Sequence, residues 1–91
     1  MTQIKKLVLD VLKPHQPNAL EFATALADLG DGLAINVAVE EVDEKTESII
    51  VLIEGENIDY DLIAERIKEL GASVHSIDEV EVVGAKNKMG E

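Results

Sequence analysis

Residues 33–55, LAINVAVEEVDEKTESIIVLIEG, decide the fold. Leu33, Ile35, Val37 and Val39 alternate with Ala34, Asn36, Ala38 and Glu40, which is the two-residue period of a strand with one buried face. Asp43 to Thr46, DEKT, is a polar turn. ESIIVLIEG follows it as a second run rich in β-forming residues, so 33–54 predicts a hairpin.

Working outward, each side of the hairpin carries a helix signal. Upstream, Asn18 caps a helix, with Glu21 three residues on completing a capping box. Phe22, Leu26 and Leu29 share one helical stripe, and Gly30 is the expected left-handed stop. Downstream, Asp59 is the cap, Ile58 and Ile63 form the two halves of a hydrophobic staple, and Ile63, Ile67 and Leu70 make the stripe that Gly71 ends. Cap, stripe and stop recur at an offset of 41 residues. Beyond the helices lie two further strands, IKKLVLDVL (4–12), stopped by Lys13 and Pro14, and SVHSIDEVEVV (73–83).

Strand, helix, strand twice over is βαββαβ, an α+β ferredoxin-like domain spanning 1–83, with two helices on one face of a four-stranded antiparallel sheet. Right-handed crossovers put strands one and three in the centre and pair strand four with strand one. Residues 84–91, GAKNKMGE, read as a flexible polar tail.

A sheet covered on one side normally shows polar residues on the other. Here residues 49–53, IIVLI, leave the third strand no wet face over that length, and in the first strand Ile4, Val8 and Leu12 back onto Leu7, Leu9 and Val11. The uncovered face is therefore expected to meet further copies of the chain. Asp10 interrupts the first strand. Strand alternation sets it on the open face near His75, Asp78 and Glu79, whereas the 41-residue offset equates it with Val51 and the more apolar face. The first placement is preferred, since an unpaired interior carboxylate costs several kcal/mol or neutralises.

Composition narrows the function. Nineteen Asp and Glu against eight Lys and Arg give a formal charge of −11, which repels nucleic acid and anionic membrane surfaces. With no cysteine there is neither a disulfide nor a thiolate metal site, and a cytoplasmic protein is expected. No apolar run approaches the roughly 20 residues that span a bilayer. The lone arginine, Arg66, sits on a helix and not in a phosphate-cradling first loop, and the two aromatics, Phe22 and Tyr60, lie on or beside helices where they offer no stacking platform for RNA.

The polar residues left to carry chemistry are few. HSIDEV (75–80) gathers His75, Ser76, Asp78 and Glu79 on an edge strand, where alternation splits them between two faces unless a bulge intervenes. Asp78, Glu79 and Asp10 offer oxygen ligands to calcium or magnesium, completed by a neighbouring subunit. The competing expectation is that these charges protect the edge and form interface hydrogen bonds. His15, in KPHQP, reads as a solvated loop histidine, or else as part of an anion site before a helix N-terminus. Glu40, Glu41, Asp43, Glu44 and Glu47 read as a solvated charged hairpin.

LVLDVLKPH, IEGENIDYDLIAERIKELG and VHSIDEV together resemble the archaeal family catalogued as domain of unknown function 211, over residues 3 to 83. KPH and HSIDEV are the most specific parts of the likeness. The resemblance implies a small cytosolic archaeal protein that forms ring-like homo-oligomers and has no established activity, with Asp10, His15, His75, Ser76, Asp78 and Glu79 among the family's recurrent polar positions. In strand three this chain carries Ile50 and Leu52 where the family alternates polar residues. The expected function is a non-catalytic homo-oligomeric module that binds a small ligand or divalent cation at subunit boundaries. The alternative is an enzyme using Asp10 and His75 as an acid–base pair.

Overall fold

The computed structural model describes residues 2–84. The elements run β1 (Thr2–Pro14), α1 (Ala19–Ala27), β2 (Ala34–Val42), β3 (Thr46–Glu54), α2 (Tyr60–Glu69) and β4 (Ser73–Gly84). The four strands form one antiparallel sheet in the order β2-β3-β1-β4, as the crossover rule predicts for a ferredoxin-like fold. Of the expected tail, Gly84 still belongs to β4, opposite Thr2, and the rest lies outside the described residues. No helix among the described residues is long and apolar enough to cross a membrane.

The helix signals act as read, with one exception. Asn18 Oδ1 accepts from the Glu21 N–H at 2.8 Å while Glu21 Oε1 accepts from the Asn18 N–H at 3.0 Å, which closes the capping box. Asp59 Oδ1 accepts from the Leu62 N–H at 3.1 Å, and Ile58 and Ile63 are both buried. Gly71, at φ +86°, ends α2: its N–H donates to the Lys68 carbonyl and that of Ala72 to the Ile67 carbonyl, the paired closure of a Schellman motif. Gly30 does not play this part for α1. That helix stops earlier, at Ala27 with Asp28 as cap, and the left-handed glycine of the following loop is Gly32, at φ +79°.

The core is a single layer between helices and sheet. Leu7, Leu9 and Val11 of β1 and Ile49, Val51 and Ile53 of β3 point into it, against Phe22, Leu26, Ile63 and Ile67. Each such burial is worth roughly 1.5–3 kcal/mol relative to exposure. Strand alternation thus places Asp10 correctly and the 41-residue offset misplaces it. The buried triplets of β1 and β3 repeat at 42 residues and the caps at 41, because Asn18 stands seven positions after Val11 whereas Asp59 stands six after Ile53. Ile4 also departs from its expected face and packs against the core. An extra β1 residue at Lys5, between the Ile4/Val82 and Lys6/Glu81 pairs, reverses the alternation there.

The helix layer is short. Helices of 9 and 10 residues are about 14–15 Å long at 1.5 Å per residue, whereas the 13 residues of β1 extend about 43 Å at roughly 3.3 Å each. Thr2 to Ile4 pair with β4 alone, since the β1–β3 register starts at Lys6. Ile77, Val80 and Val82, opposite Leu9, Leu7 and Ile4, should lie on the helix side of the sheet by cross-strand pairing. The helices do not reach them, and each is about half exposed.

Candidate functional site

Two polar clusters flank β1, on opposite faces of the sheet. The first lies on the open face. Asp10, Leu12, Ser48 and His75 line a cleft of about 320 Å³. Asp10 and Leu12 reach it by strand alternation, Ser48 because it stands opposite Leu12 in β3, and His75 from the edge strand β4. His75 is one of two residues that β4 inserts relative to β1. The pairs Asp10/Ser76 and Val11/Val74 skip His75, and Val8/Glu79 and Leu9/Ile77 skip Asp78. These are bulges, the irregularity that re-aims side chains and also makes an edge a poor template for another strand.

The bulges distribute the HSIDEV side chains among different partners. Ser76 Oγ donates to Asp78 Oδ1 at 2.6 Å. Glu79 Oε2 pairs with Lys6 Nζ at 3.1 Å, and this contact holds the lysine above its ordinary value. Of the HSIDEV side chains, His75 alone shares the cleft with Asp10, Leu12 and Ser48. Among the described residues no three His, Asp or Glu groups come together to hold a metal ion. Asp78, Glu79 and Asp10 thus do not form a cage within one chain, and a calcium or magnesium shell needs ligands from outside it.

The second cluster lies at the helix-facing end of β1 and was not foreseen. Lys13 is fully buried. Its ammonium donates to the carbonyls of Pro14 at 2.8 Å and Pro17 at 2.7 Å, with that of His15 at 3.4 Å, and pairs with Glu47 Oε1 at 3.0 Å. The loop that supplies these carbonyls contains a cis Gln16–Pro17 peptide. Three N–H donors therefore meet a full set of acceptors, the condition under which a charge can be buried. His15 is not a free loop histidine. Its Nδ1 lies 3.1 Å from Glu47 Oε2 and its Nε2 lies 2.9 Å from the Glu44 carbonyl oxygen.

Both partners of the His15 ring can only accept, so both are satisfied only by the doubly protonated imidazolium. The Glu47 carboxylate first, and then the Glu44 carbonyl, hold its pKa above the usual imidazole value. In return His15 first, and Lys13 second, hold the Glu47 carboxyl below the usual carboxylate range. Glu47 is therefore an anchor and not part of a solvated hairpin, and the pair ties the loop after β1 to the β2–β3 turn. A usable signal was present: Lys13 continues the buried series Leu7, Leu9, Val11, and Glu47 continues Ile53, Val51, Ile49.

The profile of a family described as DUF211, Uncharacterized ArCR, matches residues 5–88. An uncharacterized protein of Methanocaldococcus jannaschii is 46% identical over 86 residues, covering 94% of this chain and 88% of its own length.

Proposed function

Because the chain belongs to the DUF211 family, whose description assigns no activity, we propose that it is a non-catalytic module that works as a homo-oligomer and holds a small ligand at the boundary between copies. The observation that carries this reading is the apolar character of surface the protomer leaves uncovered. Val8, Leu12, Ile50 and Leu52 occupy the open sheet face, none of them buried. Ile77, Val80 and Val82 form a separate exposed stripe on β4. Apolar surface of this kind marks an interface. Two unlike patches on one chain suit a head-to-tail contact, which closes into a ring when the rotation between copies permits. The bulged β4 edge supports assembly through side-chain surfaces over strand addition.

Multi-angle light scattering of the wild-type chain at physiological salt is expected to give a defined assembly. Ile50→Lys with Leu52→Lys should shift it toward the monomer without changing the circular dichroism spectrum. A wild-type chain that runs as a monomer defeats this reading. A calcium or magnesium ion belongs to it only where another copy adds ligands, since Asp78 and Glu79 are already engaged by Ser76 and Lys6. Calorimetric titration should then show saturable heats that Asp78→Asn weakens, and flat heats for both ions remove the cation.

A further inference from the structure

Among the described residues, Asp10 accepts no side-chain hydrogen bond and pairs with no cation, although it is half buried between the two neighbours of β1 and stands opposite Ile50. The cleft it lines offers three groups able to accept, namely its own carboxylate, the Ser48 hydroxyl oxygen and a ring nitrogen of His75, beside one apolar wall, Leu12. We propose that this cleft binds a small aliphatic primary ammonium ion, its three N–H donors directed to Asp10, Ser48 and His75 and its methylene groups laid against Leu12.

Charge and donor chemistry select that class. A formal charge of −11, with a carboxylate in the cleft, disfavours anions and draws cations. One carboxylate, one hydroxyl and one imidazole fall short of the six to eight oxygen ligands a calcium ion takes, and magnesium demands a near-octahedral oxygen shell. An ammonium group needs only a charge-assisted contact and two further acceptors. A cleft of about 320 Å³ has room for a molecule of a few heavy atoms. The inference rests on the reading above in one respect: a second copy over the open face closes the cleft. Covering Asp10 without a partner is unfavourable, and the ammonium supplies that partner.

Nuclear magnetic resonance titration of the full chain with propylamine, propanol, propyltrimethylammonium and magnesium chloride tests it, with light scattering on the same samples. Saturable shifts with propylamine at Asp10, Ser48 and His75 are expected, at least tenfold weaker in Asp10→Asn and several-fold weaker in Ser48→Ala. Equal affinity for propyltrimethylammonium, which has no N–H, overturns the inference, as do tighter binding of magnesium at the same residues and an Asp10→Asn chain that binds as well as wild type. An assembly that ignores propylamine but dissociates in Asp10→Asn also overturns it, because the partner of Asp10 is then a side chain of another copy. A monomer that binds propylamine as described supports the inference and removes the oligomer reading alone.

Discussion

Two carboxylate–histidine neighbourhoods lie three residues apart along β1, on opposite faces of one sheet, and they are built in opposite ways. At Lys13, Glu47 and His15 every side-chain N–H meets an acceptor, and no buried side-chain polar atom of the described residues is left without a partner. At Asp10 and His75 neither group has a side-chain partner within the described residues, and the cleft opens to solvent. Strand parity decides between them. Position 13 continues the series that faces the helices, where an unpaired charge is intolerable, and position 10 faces out, where an unpaired charge is free to meet a partner from outside. One cluster holds the fold closed at the end of the sheet. The other is left available.

The largest expected difference comes from removing the cation on the sealed side. Lys13→Met removes the buried ammonium from the Pro14, His15 and Pro17 carbonyls and leaves Glu47 with His15 alone, and should cost about 3–5 kcal/mol in urea denaturation. Asp10→Asn should stay within about 0.5 kcal/mol when measured on the monomeric Ile50→Lys, Leu52→Lys background, since it removes no partner contact. Equal costs for the two substitutions would break the contrast. Glu47→Gln comes next. The amide oxygen still accepts from Lys13, and the loop carbonyls remain, so the loss should be clearly smaller than for Lys13→Met, read as a smaller fall in the urea midpoint at constant m-value.

What was legible in the sequence follows the same division. Periodic features were readable: the alternating β2, the stripes Phe22/Leu26 and Ile63/Ile67, both caps and the central place of β1 and β3. The sealed cluster was missed because Lys13 and Glu47 are charged, and a charged residue at the end of an apolar run reads as the end of a strand. Only their pairing opposite one another shows that the inward face continues one step further. The tie from His15 to Glu47 spans 32 residues and exists only once the β2–β3 turn lies beside the β1–α1 loop. The bulges at Lys5, His75 and Asp78 have no compositional mark, yet they decide that Ile4 turns inward and that His75, but not its HSIDEV neighbours, joins Asp10.

The smallest effect is the one that sharpens the contrast most, because it separates a histidine that is part of the fold from one that is not. His15 is held above its ordinary value of 6.5 in the folded chain. The folded state thus binds that proton more tightly than the unfolded state, and the resulting stability is complete below pH 6.5 and is lost as pH rises through the raised value. Glu47 is held below its ordinary 4.5, so its contribution is complete above pH 4.5 and is lost as pH falls through the lowered value. The contact between them should therefore stabilise fully from about pH 4.5 to 6.5 and weaken on both sides. On the alkaline side, urea midpoints measured from pH 6 to 9 should fall for the wild type, and His15→Gln should remove most of that fall. His75→Gln should leave it in place, because among the described residues the His75 side chain makes no hydrogen bond or ion pair. If His75→Gln flattened the curve and His15→Gln did not, then the histidine on the open face would be the one bound into the fold, and the division of β1 into a sealed and an available side would have to be reversed.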